Sequence, residues 1–465
     1  MNRIAVLNVV GLTRSLLGPH TPRLSAFAGR GRIASIEPVL PALTCSAQST
    51  YLTGTLPREH GIVANGWYDR DLAEVQFWKQ SNHLVRGRKV WDDLRASVPG
   101  FTCAKVFWWY NMYSSADWSM TPRPMYPADG RKVFDIYTAP FSIRHEIKDD
   151  LGEFPFAGFW GPAAGVDSPQ GGPDCATRWI AESAKWIERK YRPTLNLIYL
   201  PHLDYNLQRL GPAHPDMAKD LARIDAIVGD LLDFFSGRGV EPLILSEYGI
   251  TAVDTPVHLN RAFRRRGWLA IKDELGRELL DCGASKVFAV ADHQVAHVYL
   301  NDPSLESAAR EVIAAEAGVA QVLGREEKAA LGLDHSRAGD LVALAKENAW
   351  FTYYYWNDDA VSPDFARTVD IHRKPGYDPV ELFLNPALRF PKLHIARRLL
   401  QKKLGFRMLM DVIPLDATLV QGSHGVRPSR TEDFPIVISA RPGALSTAAV
   451  ASTEVAGIIR RHVIA

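Results

Sequence analysis

Three short, largely apolar runs, Ile4–Val10, Leu195–Leu200 and Pro242–Leu245, restrict the folds open to this chain more than any other feature. A strand with one face in water alternates apolar and polar residues, whereas a strand covered on both faces does not. Phe434–Ser439 is a later candidate of the same kind. Helical patterns separate these runs. The clearest is Met217–Phe235, where Met217, Leu221, Ile224, Ile227, Leu231 and Phe234 recur at helical spacing behind the start signal Pro215-Asp216. Strands of this type between helices predict an α/β fold with a central, mostly parallel sheet between helix layers. Ser304–Val322 reads as a strand-flanked helix in an inserted smaller subdomain of about residues 262–345. Residues 1–261 and 346–465 are then left as the core.

The 465 residues carry 54 Lys+Arg and 52 Asp+Glu, a net charge of +2. That balance argues against a nucleic-acid duplex as partner, since such binders carry a basic excess. No run has the length and apolarity of a transmembrane segment. The N-terminal run reads as a buried strand rather than a signal peptide. The four cysteines, Cys45, Cys103, Cys175 and Cys282, are scattered and form no CxxC pair, which favours a cytoplasmic protein without a disulfide framework. The aromatic stretch Val106–Arg131 has no clean period and reads as a long loop with aromatic packing. Arg397, Arg398, Lys402 and Lys403 alternate with Leu399, Leu400, Leu404 and Phe406. This is the pattern of a solvated basic helix face packed on the domain, and it carries no membrane assignment here.

Chemistry concentrates around Thr44. Small residues from Thr44 to a stop at Gly54 predict a short helix with Thr44 at its N-terminus. A hydroxyl there meets unpaired backbone N–H groups and the positive end of the helix dipole, which favours an alkoxide or a phosphoryl oxygen. Taken alone, Thr44 or Ser46 reads as a helix cap only. The turn Pro41-Ala42-Leu43-Thr44 is followed, however, by Thr53-Gly54-Thr55-Leu56-Pro57-Arg58-Glu59-His60-Gly61-Ile62 and then Asn65.

That order and spacing resemble the nucleotide pyrophosphatase/phosphodiesterase branch of the alkaline phosphatase superfamily. Further landmarks extend the resemblance to about residue 425: Gly11 with Thr21-Pro22-Arg23-Leu24, Tyr199–Asp204 with Gly211-Pro212, Ser246-Glu247-Tyr248-Gly249, and Gly422-Ser423-His424-Gly425. The resemblance implies an alkaline-phosphatase-like core and a Thr nucleophile beside two zinc ions held by Asp and His. Several ligand positions depart from that pattern. Val10 stands where the family has Asp, with Asn8 roughly 6.6 Å deeper on the same strand face. Glu247-Tyr248 replaces Asp-His, and Gln208 replaces His. Three readings follow. One divalent ion, zinc by analogy, is held by Asp204, His424 and Glu247. Or a second site is rebuilt from His202, Asp254, His258, Asp292, His293 or His297. Or the protein binds a polar ligand, or serves as a scaffold, without turnover.

The favoured expectation is metal-dependent hydrolysis of a small-molecule phosphodiester, pyrophosphate or related phosphate ester. Thr44 is then the nucleophile, Asn65 the oxyanion donor and Arg427 a substrate contact. Arg123, Asp129 and Arg131 read as surface ion pairs, and Asp370–Asp378 as an exposed turn.

Overall fold

The computed structural model describes residues 1–129, 131–167 and 171–464. The chain opens with β1 (Arg3–Val9) and β2 (Arg32–Glu37). It continues through β3 (Cys103–Val106), β4 (Trp118–Pro122), β5 (Ile136–Ala139), β6 (Leu195–Leu200) and β7 (Val240–Leu245). Then come β8 (Val287–Asp292), β9 (Val295–Leu300), β10 (Val319–Leu323) and β11 (Leu341–Ala345), and finally β12 (Ile436–Ser439) and β13 (Ala449–Ala451). The helices that matter below are α1 (Thr44–Thr53), α2 (Cys175–Tyr191), α3 (His202–Leu210), α4 (Met217–Ser236), α5 (Pro391–Lys403) and α6 (Val455–Ile464).

Nine strands form one mixed sheet in the order β13-β2-β12-β7-β1-β6-β3-β4-β5. Its centre, β7-β1-β6-β3-β4, is parallel, and β12 joins β7 antiparallel. The apolar runs become these central strands because both faces are covered. Helices α2 and α4 pack together against β6 and β7, and α6 packs on β1 and α1. All of Ile4–Val9 is buried, so removing a side chain such as Leu7 leaves a cavity that costs about 2–5 kcal/mol. A second, antiparallel sheet, β8-β9-β11-β10, has its own apolar cluster, which includes Phe288, Tyr299 and Trp350.

Register positions the site. Asn8 pairs with Tyr199 on one side and Leu245 on the other, so β1, β6 and β7 end together. The first turn of α3, after β6, and the turn that leaves β7 carry Asp204 and Glu247-Tyr248 to that common carboxyl edge, where α/β sheets place their ligands.

One expectation changes. Trp118–Pro122 lies in the aromatic stretch read as a loop, yet it is a strand of the main sheet. Its period is masked because Ser119, Met120 and Thr121 are all buried. Helix α5 packs on the domain through half-buried Ile395, as read, although none of its residues is fully buried.

Candidate active site

Thr44 is the first residue of α1, after Leu43 in extended conformation, and the helix ends at Gly54 in the left-handed region. The Thr44 hydroxyl lies 3.1 Å from the Tyr248 hydroxyl. The next backbone N–H, that of Cys45, donates to Asn65 Oδ1 at 3.0 Å. Asn65 is anchored in turn to Asp292 on β8, through its backbone N–H at 2.8 Å and its amide nitrogen at 3.1 Å. Asn65 therefore braces the start of α1, with one amide N–H already committed, while Thr44 itself faces the cavity.

Below Thr44 lies a layer of buried polar groups. Tyr248 donates to Asp204 Oδ1 at 3.2 Å, and Gln208 Nε2 donates to Asp204 Oδ2 at 2.9 Å. Gln208 Oε1 accepts from the Tyr377 hydroxyl at 2.8 Å. Beside this chain, Glu247 Oε1 accepts from Asn8 Nδ2 and Gln48 Nε2, both at 2.5 Å, while Glu247 Oε2 is buried without a partner. Gln48 also accepts the Trp109 N–H at 2.8 Å, which ties α1 to the aromatic stretch. Burial pushes the Asp204 carboxyl up to about 7, against the opposing bonds from Tyr248 and Gln208. Burial likewise pushes Glu247 up to about 8, against the bonds from Gln48 and Asn8.

Aromatic rings close the other side. Tyr377 stacks on His293 at 3.6 Å, His293 meets His424 at 3.9 Å, and His424 stacks on Tyr248 at 3.5 Å. His424 Nδ1 donates to the Ala42 carbonyl at 2.8 Å, and burial holds both histidines well below their ordinary range.

This donor set does not fit a two-zinc centre. Both Asp204 oxygens already accept O–H or N–H donors, Glu247 is bridged by two amides, and Tyr248 and Gln208 supply no anionic or imidazole ligand. Among the described residues no three His, Cys, Asp or Glu side chains surround a point that could hold an ion. Asp204, Glu247 and His424 are thus neighbours of Thr44 and Tyr248 without forming a common ligand shell.

The other candidates separate. His297 bonds the Val63 carbonyl and the Gly339 N–H, His258 bonds Thr352, and His202 pairs with Asp220 at 3.0 Å, so each serves the fold. Asp254 caps a turn through Thr255 and Asn348. Arg427 points away from the cavity, over the Phe434 ring and towards Glu37, so it is not a substrate contact here. The pair Asp129–Arg131 is local and exposed, as expected, whereas Arg123 lines the cavity mouth.

The cavity above Thr44 encloses about 1140 Å³. Its walls are mainly apolar and aromatic, with Trp78, Trp109, Phe154, Phe159, Trp160 and Tyr205 among them. Lys79, Arg123, Lys132 and Arg373 also line it. One wall is Asp370–Arg373 with Tyr377, so the segment read as an exposed turn borders the site. Buried Lys374 holds it, bonded to Asp378 at 2.8 Å and to Glu381 at 2.7 Å. The sequence pointed towards this through three charges within eight residues, Lys374, Asp378 and Glu381. It did not reveal that they pair with one another. Gln48 was also missed, and a lone glutamine inside a small-residue helix is the one signal that marks it.

A parallel-centred sheet with a threonine at a helix N-terminus over its carboxyl edge makes this an α/β protein whose site lies at the strand ends. The chain belongs to the type I phosphodiesterase/nucleotide pyrophosphatase family, whose model matches residues 4–378. It is 24% identical over 266 residues to an uncharacterised pyrophosphatase/phosphodiesterase of Schizosaccharomyces pombe, covering 53% of this chain and 46% of that protein. The chain thus spans about half the length of the curated relative it matches.

Murine ectonucleotide pyrophosphatase/phosphodiesterase 5, solved in an inactive form in complex with AMP, shares the fold at TM-score 0.59 and 14% identity. The match covers 100% of this chain and 95% of that one. Phosphonoacetate hydrolase from Sinorhizobium meliloti, solved with phosphonoformate, aligns at TM-score 0.60 and 14% identity, covering 99% and 96%.

Proposed function

We propose that this chain is a hydrolase of a small phosphodiester, pyrophosphate or related phosphate ester, with Thr44 as nucleophile. The observation that carries the reading is the Thr44 hydroxyl, at the N-terminus of α1 and on the cavity floor, between the Tyr248 hydroxyl and the Glu247 carboxylate. Family membership supports the reaction class. In the first step Thr44 Oγ bonds to phosphorus and the bond to the leaving oxygen breaks. The Thr44 proton passes to the Tyr248 hydroxyl as that hydroxyl's own proton moves to the Asp204 carboxylate, to which it already donates, and the leaving oxygen takes a proton from solvent. Water then cleaves the phosphothreonine, and the protons return. The positive end of the α1 dipole favours a phosphoryl oxygen beside Thr44. The mainly apolar walls suit an ester whose organic part is extended and apolar or aromatic. Four unpaired cysteines suit a reducing, cytoplasmic setting.

A second reading, binding without turnover, draws on the same floor. Neutral Asn8, Gln208 and Tyr248 stand beside the carboxylates and satisfy them internally. The test is a panel of phosphodiester and pyrophosphate substrates with the parent protein, Thr44→Ala and Thr44→Ser. Turnover that Thr44→Ala lowers by at least about a thousandfold, with melting unchanged, supports the hydrolase. Equal turnover in parent and Thr44→Ala rules out the covalent step. Ligand-induced stabilisation without turnover selects the binding protein.

A further inference from the structure

We propose that α5 and the segment after it form a docking surface for an anionic phospholipid bilayer, which seats the cavity mouth on the membrane. The inference rests on surface geometry and charge and is independent of what Thr44 does. Helix α5 touches the rest of the fold through one face only. His394 and Arg398 bond Asp411, and Ile395 packs on the apolar cluster of the second sheet. Leu393, Leu400 and Leu404, seven and four residues apart, fall in one stripe on the other side and are 68%, 55% and 64% exposed. Phe390, Leu399, Phe406 and Leu409 are exposed beside them. So much apolar surface on a thirteen-residue helix with no buried residue needs a cover.

The charge identifies the cover. From Leu382 to Met410 there are seven Lys or Arg residues and no Asp or Glu, in a chain whose whole net charge is +2. Arg397 lies on one flank of the leucine stripe and Lys392 and Lys403 on the other, the arrangement of a helix lying in an anionic lipid interface. The same surface leads into the cavity. Met410 and Val412, just beyond α5, line it, as do Arg123, Tyr126, Lys132 and Phe134 on another exposed segment. Tyr126 and Phe134 are themselves exposed, so the mouth is framed by apolar and basic groups on two sides. An ester with an apolar body can then pass between bilayer and cavity without crossing water.

The test is co-sedimentation of the full chain with vesicles of phosphatidylcholine alone or with about one third phosphatidylglycerol. The parent should bind the anionic vesicles at least about tenfold better than the neutral ones, and added salt should weaken that binding. Leu400→Glu/Leu404→Glu and Lys402→Glu/Lys403→Glu alter only exposed side chains. Each should lower anionic-vesicle affinity by about tenfold or more, with parental circular dichroism and melting. No binding, equal binding to both vesicles, or undiminished binding by both variants overturns the proposal. So does a parent dimer in analytical ultracentrifugation that Leu400→Glu/Leu404→Glu dissociates, because a second copy then covers the stripe.

Discussion

Replacing Lys374 with Met tests how the cavity wall is held. The ammonium is buried between two carboxylates, Asp378 at 2.8 Å and Glu381 at 2.7 Å. Burial alone would push the Lys374 ammonium down, but the two carboxylates hold it above its ordinary value. Burial raises the Glu381 carboxyl, and Lys374 opposes that rise. Glu381 also accepts the Trp160 indole N–H at 2.6 Å and the Asp370 backbone N–H at 2.9 Å, so the triad ties two cavity walls together. Methionine preserves the volume of the side chain but leaves two buried carboxylates uncompensated, at a cost of about 3–5 kcal/mol.

The pH dependence follows from the direction of the shift. Without Lys374 the Glu381 carboxyl rises further. A raised carboxyl contributes stability that is fully present below its unfolded value and is lost as pH rises through the folded value. The deficit of Lys374→Met against the parent, read by urea denaturation, should therefore be larger at pH 8 than at pH 5. Adding Glu381→Gln should recover part of it, because one buried charge is removed and the two sites share a contact. A deficit under about 1 kcal/mol, or one equal at both pH values, would refute the view that this triad is a compensated buried charge cluster.

Asp292 gives a second pH prediction: burial lifts its carboxyl to about 7, so its contribution to stability should fade as pH rises from about 4 through 7. Asp292→Asn should flatten that slope in thermal melts and cost about 1 kcal/mol at low pH, through one hydrogen bond to Asn65. Gly249→Ala places a Cβ 1.9 Å from the Asp433 carbonyl oxygen, so it should destabilise by about 2 kcal/mol or more in denaturant unfolding. Elemental analysis of protein purified without an affinity metal should find well under one zinc per chain. Two ions per chain would mean that Tyr248 and Gln208 give way to ligands not apparent in this arrangement.

The parts legible in the sequence were those set by local periodicity. Leu195–Leu200 is a strand to the residue, and Met217–Phe235 is one residue short of the helix. The helix from Thr44 to the Gly54 stop was visible for the same reason, since its signals are local. What failed to read out depends on partners far along the chain. Period-two geometry puts Asn8 and Val10 on one strand face, and the motif Val10-Gly11 drew attention to Val10. Register with β7 decides otherwise: Asn8 sits opposite Leu245, two residues before Glu247, and its amide reaches the Glu247 carboxylate, while Val10 is buried in the main apolar core. Nothing within ten residues of position 8 encodes that choice.

The polar residues of the site make physical sense only as a set. A carboxylate at position 8 would face Glu247 across a 2.5 Å contact and, without a cation between them, would repel it; an amide donates there instead. A second imidazole at position 248 would offer a ligand nitrogen to Asp204. The tyrosine offers a hydroxyl donor and a flat ring that His424 covers at 3.5 Å. An imidazole at position 208 would compete for Asp204 as well, whereas glutamine donates to Asp204 and accepts from Tyr377 in one side chain. Asn8, Gln208 and Tyr248 each satisfy their neighbours by hydrogen bonding or stacking. The network stays closed beneath the Thr44 hydroxyl, which borders the cavity. Placing a single Asp or His at one of these positions therefore should not build a metal site, because its partners would still present neutral donors to the same carboxylates.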